Sequence, residues 1–391
     1  MVYYYEKYMR ASLMKGAKMD HIKKLFKLKN PYDYDKSEKL FSKAIEQNCI
    51  YHYEHNVEYK ALLDKLGFCP YDDGALVDLS KLPPLPTLYF KHHLLLSVPN
   101  KKLVIKATSS GTSGQNQSMV GLDFYSLWRG FDEVKRLFAY HKIWSLKPTR
   151  FVIFGYEHKF KNKKGIAQTS WGFTFTAPAV SKDYVLRYRG GEYVADLDNI
   201  EEKLIKYSKG KLPVRTLGFP AYTYFLLKQM KEHGVSVKLP KGSMLTLGGG
   251  WKQFYAEKIS KEDFYALAYE ILGIEKENIV EYFGAVEHPV MWTQCKNHKF
   301  HVPNYARVII RDVDDLHPLP NGQVGIINLL TPMCRATPLT SVMTDDLGIL
   351  HDNDCDCGIC APYLEIIGRV GIEDIKTCAA GAEDLLKGGK K

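Results

Sequence analysis

The sequence predicts an α/β protein with a helical N-terminal region, an α/β core and a C-terminal region of short strands. Three observations predict it. Residues 34–47 (YDKSEKLFSKAIEQ) place Leu40, Phe41, Ala44 and Ile45 at helical spacing. From Lys102 to Gly284, apolar runs bounded by turn residues alternate with amphipathic stretches that end in glycine. After Phe300 only short strand-like runs with loops between them remain. Boundaries are expected near 95 and 368, dividing the chain into a helical region at 1–95 packed on a core at 96–368, and a short tail at 369–391.

Residues 1–67 read as helical, with one helix starting at Asp35 or Ser37. KLPPLPTLYF (81–90) is too rich in proline for a helix and is expected to run extended. KLVIKAT (102–108) and TRFVIFGY (149–156) read as buried strands. YTYFLLKQMKEHG (222–234) reads as a helix with a glycine stop, and MLTLGGG (244–250) as a strand. ISKEDFYALAYEILG (259–273) is another helix ending in glycine, followed by strand-like VEYFG from Val280. ARVIIRD, GQVGIINLL and LEIIGRV supply the strands of the last region.

The chain has 391 residues, enough for two or three units or one large body with subdomains. Hydrophobic residues at 45% and charged residues at 25% exclude disorder as the main state. No run approaches the roughly 18–20 apolar residues of a membrane span, and the N-terminus lacks the apolar core of a secretion signal. A cytoplasmic protein is expected. The net charge of +10 is spread along the chain, with short basic runs at 23–29, 159–164 and the last residues. Such runs read as solvated faces and tails, not as a nucleic-acid site.

Eight cysteines occur, four of them (Cys355, Cys357, Cys360 and Cys378) in the last tenth of the chain. That distribution points to metal binding or reactive thiols instead of a disulfide scaffold. Cys295, His298 and His301 lie upstream of Cys355-x-Cys357-x₂-Cys360, and thiolate with imidazole suits a closed Zn²⁺ site. A metal-free thiol cluster is the alternative. Cys49, Cys69 and Cys334 read as small buried residues, and His92 and His93 as surface.

The strongest phosphate signal is TSSGTSG (108–114), directly after a strand. Its glycines let backbone approach an anion and its hydroxyls add donors. No Gly-Lys-Ser/Thr follows, so it is not a Walker loop. LGGGW (247–251), EYFGAVEHP (281–289), LTSVMTDDLG (339–348) and GRVG (368–371) follow it in that order.

With these strings the chain resembles the adenylate-forming superfamily, whose members activate a carboxylate with ATP. The resemblance implies the superfamily's large α/β domain. It assigns Thr108, Ser109, Ser110, Gly111, Thr112, Ser113 and Gly114 to the phosphates. Gly249, Tyr282, Phe283 and Gly284 fall to the nucleotide, Glu287 to Mg²⁺, Asp345 or Asp346 to the ribose, and Arg369 to closing the site. One departure is that Gln115-Asn116-Gln117 stands where a basic residue usually follows the loop, so phosphate charge falls to Mg²⁺ or another cation. His288 is a further substrate-contact candidate. Trp171 and Phe173 are candidates for an apolar acyl slot, against the plainer reading of SWGFTFTAP as core.

TLGFPAYTYFLLK, HVPNYARVIIRD, LPNGQVGIINLLTP and above all GRVGIEDIKTCAAGAEDLL narrow the resemblance. They are similar to acyl-protein synthetases of the bacterial bioluminescence type, which stand near phenylacetate–CoA ligases. The likeness covers roughly 80–391. It implies a fatty acid substrate, acyl-AMP, and an acyl reductase as partner. It also implies a zinc quartet of Cys295, His301 in preference to His298, Cys355 and Cys357. Cys378 matches the cysteine that becomes acylated. By composition alone Cys378 would read as a small packing residue, although a neighbouring ammonium such as Lys376 favours thiolate. Only 22 residues follow Arg369, too few for the superfamily's lid domain, and Lys376 is a candidate for the lid lysine. Two rival readings stand beside this one: a phenylacetate-type CoA ligase, and a non-catalytic nucleotide-sensing assembly subunit. Homo-oligomerisation is left open.

Overall fold

The computed structural model describes residues 20–369, apart from 73, 110–116, 158–169, 191, 252–253 and 255–256. The expected N-terminal helices are α1 (His21–Leu25), α2 (Tyr34–His55) and α3 (Val57–Lys65). The helix expected from Asp35 begins one residue earlier and runs well past Gln47. Buried Cys49, His52 and Tyr53 continue its core-facing stripe beyond the apolar residues that first revealed it. Asn56 ends it and caps the next helix, its Oδ1 accepting from Tyr59 N at 2.8 Å.

The Pro-rich segment differs from expectation. Leu85–Pro86 (β1) is extended, but Thr87–His92 (α4) is helical. Pro83, Pro84 and Pro86 all precede the first helical turn, so none removes a hydrogen bond from within it. KLVIKAT also differs in part. Among the described residues β2 (Leu103–Thr108) pairs with β3 (Met119–Asp123) alone, and Val104 and Ile105 are exposed.

Helix α5 (Phe124–Tyr140) follows, capped by Asp123, whose Oδ1 accepts from Ser126 N at 2.9 Å. A seven-stranded sheet has the order β10-β9-β8-β7-β4-β5-β6. Its strands are β4 (Thr149–Tyr156), β5 (Ala179–Arg189), β6 (Glu192–Ala195), β7 (Val214–Gly218), β8 (Leu245–Gly248), β9 (Ile279–Ala285) and β10 (His288–Thr293). The five inner strands are parallel, and β6 and β10 are antiparallel edges.

Period-two alternation sends Val152 and Phe154 to one face and Phe151 and Ile153 to the other. The first face is covered by α6 (Leu197–Ser208), α7 (Pro220–Glu232) and α8 (Lys261–Leu272), through Leu204, Leu226, Leu227 and Ile271. The second is covered by α5, through Phe138. Helix α8 starts at Ser260, whose Oγ accepts from Asp263 N, and stops at Gly273 with φ +63°.

The second sheet runs β11 (Phe300–His301), β15 (Tyr363–Arg369), β14 (Ser341–His351), β13 (Val324–Leu330), β12 (Arg307–Arg311). β15 pairs with the C-terminal half of β14, and β1 lies parallel to its N-terminal end at Leu85↔Val342. The largest core joins this sheet to the N-terminal helices, packing Phe41, Ile45, Tyr59 and Leu63 against Val308, Ile327, Leu329 and Val342. Among the described residues, no helix is long and apolar enough to cross a membrane.

Candidate functional site

Adjacent strands bring two of the motif strings to one end of the parallel sheet. β8 and β9 are in register at Gly248↔Tyr282, so the turns that follow them emerge side by side at their carboxyl ends. Gly249 and Gly250 have φ +84° and +69°, values that favour glycine. At Gly218, the end of β7, a Cβ would stand 2.2 Å from Phe154 O, so the strand junction requires glycine there. In open α/β sheets, ligands bind beyond such carboxyl ends.

Tyr282 and Phe283 point to opposite faces. Tyr282 is buried against Phe138 and Phe173, at ring distances of 5.6 and 6.2 Å. Its hydroxyl is enclosed without a hydrogen-bond partner, and burial pushes its pKa well above the usual phenol range. Phe283 lies 6.1 Å from Trp292 on the other side. β9 turns into β10 at Ala285↔His288, placing buried Glu287 in the connecting turn after Gly284 and Ala285. His288 is fully buried, and neither ring nitrogen has a hydrogen-bond partner. Burial lowers its pKa to about 3, so the ring is neutral.

Edge strand β10 is held from α5. Glu133 Oε1 accepts from Met291 N at 2.7 Å, and burial raises this carboxyl well above the ordinary range. The phosphate-type loop is closed at its base, where Ser109 N donates to Ser118 O and Ser118 N to Ser109 Oγ. Thr108 ends β2. Ser110, Gly111, Thr112, Ser113 and Gly114 lie outside the described residues, as do Lys376 and Cys378.

Asp345 and Asp346 also face opposite ways along β14. Asp345 Oδ1 accepts from Thr87 Oγ1 at 2.7 Å, and its Oδ2 is 3.8 Å from Lys91 Nζ. It thus anchors α4. Asp346 stands opposite Arg369 in the β14–β15 register. The two acyl-slot candidates are likewise separated. Phe173 is buried beside Tyr282, whereas Trp171 is 39% exposed and packs edge-on against Phe175.

The Cys/His pieces converge. One ligand atom from each of Cys295, His301, Cys355 and Cys357 lies within 4.8 Å of the others. Cys295 Sγ is 3.9 Å from Cys355 Sγ, and Cys357 Sγ is 3.2 Å from His301 Nε2. Tetrahedral Zn–S bonds of about 2.3 Å would set sulfurs roughly 3.8 Å apart. His301 Nδ1 is 2.7 Å from Ala361 O, an arrangement that leaves Nε2 as the ligand atom. Asn297 N and Ile359 N donate to Cys295 and Cys357 Sγ at 3.4 Å. The donor set fits Zn²⁺ in both chemistry and spacing. His298 turns away with φ +58°, its ring 4.8 Å from Tyr265. Cys360 is exposed outside the cluster.

Arg215 was not foreseen. It is buried on β7, donates through Nη1 to Ile143 O and to Thr176 Oγ1, leaves Nε unpartnered, and bears electrostatically on Tyr282. The available signal was a lone guanidinium inside the otherwise apolar string PVRTLG.

Several known proteins are similar to this chain. The "Long-chain-fatty-acid--luciferin-component ligase" of Vibrio harveyi is 26% identical over 350 residues, covering 89% of this chain and 88% of that protein. The same-named protein of Aliivibrio fischeri is 23% identical, with 97% of each chain covered. A phenylacetate-coenzyme A ligase of Thermus thermophilus is 24% identical over 83% of this chain and 68% of its own length. Among solved structures, 2-hydroxyisobutyryl-CoA ligase in complex with 2-HIB-AMP superposes with a TM-score of 0.63 at 17% identity. That match covers 88% of this chain and 70% of the ligase, and shows the fold of the adenylate-forming acyl-CoA ligases. The family model described as "Acyl-protein synthetase, LuxE" matches residues 20–386, and the chain belongs to that family.

Proposed function

We propose that this protein is an ATP-dependent acid–thiol ligase that converts a long-chain fatty acid to acyl-AMP and then to an acyl-thioester on its own Cys378. The observation that carries the reading is the Gly248↔Tyr282 register, which puts the LGGGW and YFGAVEHP turns at one end of adjacent parallel strands. It is supported by a family match running through both and by the printed names of the relatives.

In the first step a carboxylate oxygen attacks the α-phosphorus of ATP. The bond to pyrophosphate breaks, and the carboxylate becomes one half of a mixed anhydride. Mg²⁺, when bound, would offset phosphate charge, with Glu287 offering a hard oxygen ligand. Asp345 or Asp346 would hold the ribose hydroxyls, and Asp345 also carries the contacts with Thr87 and Lys91. Neutral His288 offers a donor and an acceptor to the acid or its adenylate. In the second step the Cys378 thiolate attacks the acyl carbon, the bond to AMP breaks, and AMP leaves with that electron pair. Splitting one difficult transfer in two is the usual gain of nucleophilic catalysis. The product suits delivery to an acyl reductase.

We further propose that Cys295, His301, Cys355 and Cys357 hold a structural Zn²⁺ that ties the end of β10 to the loop before β15.

The test is intact-mass analysis after incubation with ATP, Mg²⁺ and a mixture of fatty acids. One added acyl group, removed by neutral hydroxylamine, is expected. AMP release that requires coenzyme A and leaves the protein mass unchanged would instead establish a CoA ligase. Absence of any acid-dependent pyrophosphate exchange would overturn both enzyme readings.

A further inference from the structure

A cavity of about 560 Å³ opens at the end of the seven-stranded sheet opposite the glycine turns. It lies between the loops that enter β4 and β5, which are stitched together by Ser145 N to Thr176 O and Thr149 N to Pro178 O. β4 has eight residues, so about 25 Å separates this groove from the carboxyl ends of the strands. The volume falls in the roughly 300–1,000 Å³ range of small-molecule sites.

The walls are apolar and unusually exposed. Trp144 is 40% exposed, Phe175 55% and Leu146 94%, with Pro178 between them. Among the described residues lining the groove, Lys182 alone is charged, and its Nζ sits 4.9 Å over the Phe175 ring. A second positive charge lies directly behind the wall. Arg215 reaches the lining residue Thr176 through Nη1, while its Nε has no partner. A largely apolar trough with Lys182 at its rim, and no carboxylate among its described lining residues, is complementary to one kind of molecule: an amphiphile with a long chain and an anionic head.

We propose that this groove binds one long-chain carboxylate, chain along Trp144, Leu146 and Phe175 and head at Lys182, as a second site separate from the one at the glycine turns. The inference stands on the groove's own chemistry and not on the proposed reaction. A site of this kind would let the protein hold an acid while another is being processed, or respond to the acid's concentration.

The probe is 12-bromododecanoate, whose bromine quenches nearby tryptophan, added to the full-length protein with the adenylation site filled by a non-hydrolysable acyl-adenylate analogue. One equivalent of probe is expected to bind, with quenching that falls in Trp144→Phe and disappears when Trp171, which packs on Phe175, is replaced as well. Lys182→Glu and Leu146→Asp should each weaken that equivalent at least tenfold and leave acid-dependent pyrophosphate exchange unchanged. Leu146 is almost fully exposed, so its variant keeps the test usable if Lys182→Glu folds poorly. Dodecyltrimethylammonium, with the same chain and opposite charge, should not compete. The proposal is overturned by complete loss of probe binding in the analogue complex, by equal binding of the cationic amphiphile, or by binding seen only on phosphatidylglycerol vesicles. If pyrophosphate exchange is absent but the groove still takes up the probe, the proposed reaction falls and the groove stands.

Discussion

Cys295 Sγ and Cys355 Sγ lie 3.9 Å apart although 60 residues separate them in the chain. With His301 and Cys357 they form a donor set that links the end of β10 to the loop entering β15. Protein purified without chelator should therefore contain about one equivalent of zinc. Cys355→Ser and His301→Ala should lose it and melt a few degrees lower, whereas His298→Ala should keep it. Equal zinc in the two histidine variants would exclude His301 as a ligand.

Glu287 is buried in the turn between β9 and β10. If it carries Mg²⁺, Glu287→Gln should reduce carboxylate-dependent ATP–pyrophosphate exchange at least about tenfold, equivalent to roughly 1.4 kcal/mol of lost charge stabilisation. Undiminished exchange in a folded variant at saturating Mg²⁺ would remove Glu287 from the site.

The two neighbouring aspartates should separate into different phenotypes. Asp345→Ala breaks the contacts with Thr87 and Lys91, so a lower melting temperature with a nearly unchanged KM for ATP is expected. Asp346→Ala should raise the KM for ATP at least tenfold. Reversed phenotypes would assign the ribose to Asp345.

Cys378→Ser should keep pyrophosphate exchange and lose the hydroxylamine-labile acyl-protein. Cys360, an exposed thiol, is the control, and Cys360→Ser should acylate normally. The nine residues from Arg369 to Cys378 could span at most about 30 Å, enough to carry an acyl group from an adenylate toward a docked partner. Acylation of Cys378→Ser at the wild-type rate through a thioester would place the acceptor elsewhere.

Acid should destabilise the fold through its buried imidazoles. Burial lowers the pKa of His52 and of His288 to about 3, from an ordinary value of 6.5. Between those values the unfolded chain binds a proton that the native state refuses, so stability is complete above pH 6.5 and declines as pH falls toward 3. Each ring contributes up to about 1.4 kcal/mol per pH unit over that window. Urea titrations of His288→Gln at pH 5 and pH 7 should show a smaller difference than those of wild type. An unchanged difference would show that His288 does not contribute to the acid sensitivity.

The sequence by itself determined the elements whose causes are local. The apolar run TRFVIFGY, bounded by turn residues, marked β4, and the pleat sends Phe151 and Val152 to opposite faces whatever surrounds them. Gly273 marked the end of α8 through chemistry that needs only near neighbours, and the structure adds Ser260 as its N-cap. The motif strings were likewise legible, since their residue types and spacing survive without coordinates. What the sequence could not determine depended on contacts between distant segments. The helix after Pro86 is fixed in part by Asp345, which lies 258 residues beyond Thr87. Which aspartate anchors that helix was undecidable until β14 alternated one to each side. The preference for His301 over His298 gained a physical reason only when the chain turned at φ +58° and laid His298 on Tyr265. The groove carries no local signature at all, and Arg215 only that of a guanidinium in the string PVRTLG. A guanidinium behind one loop and a lysine over one phenylalanine become a site only when the amino ends of β4 and β5 lie side by side, and strand order is a tertiary property.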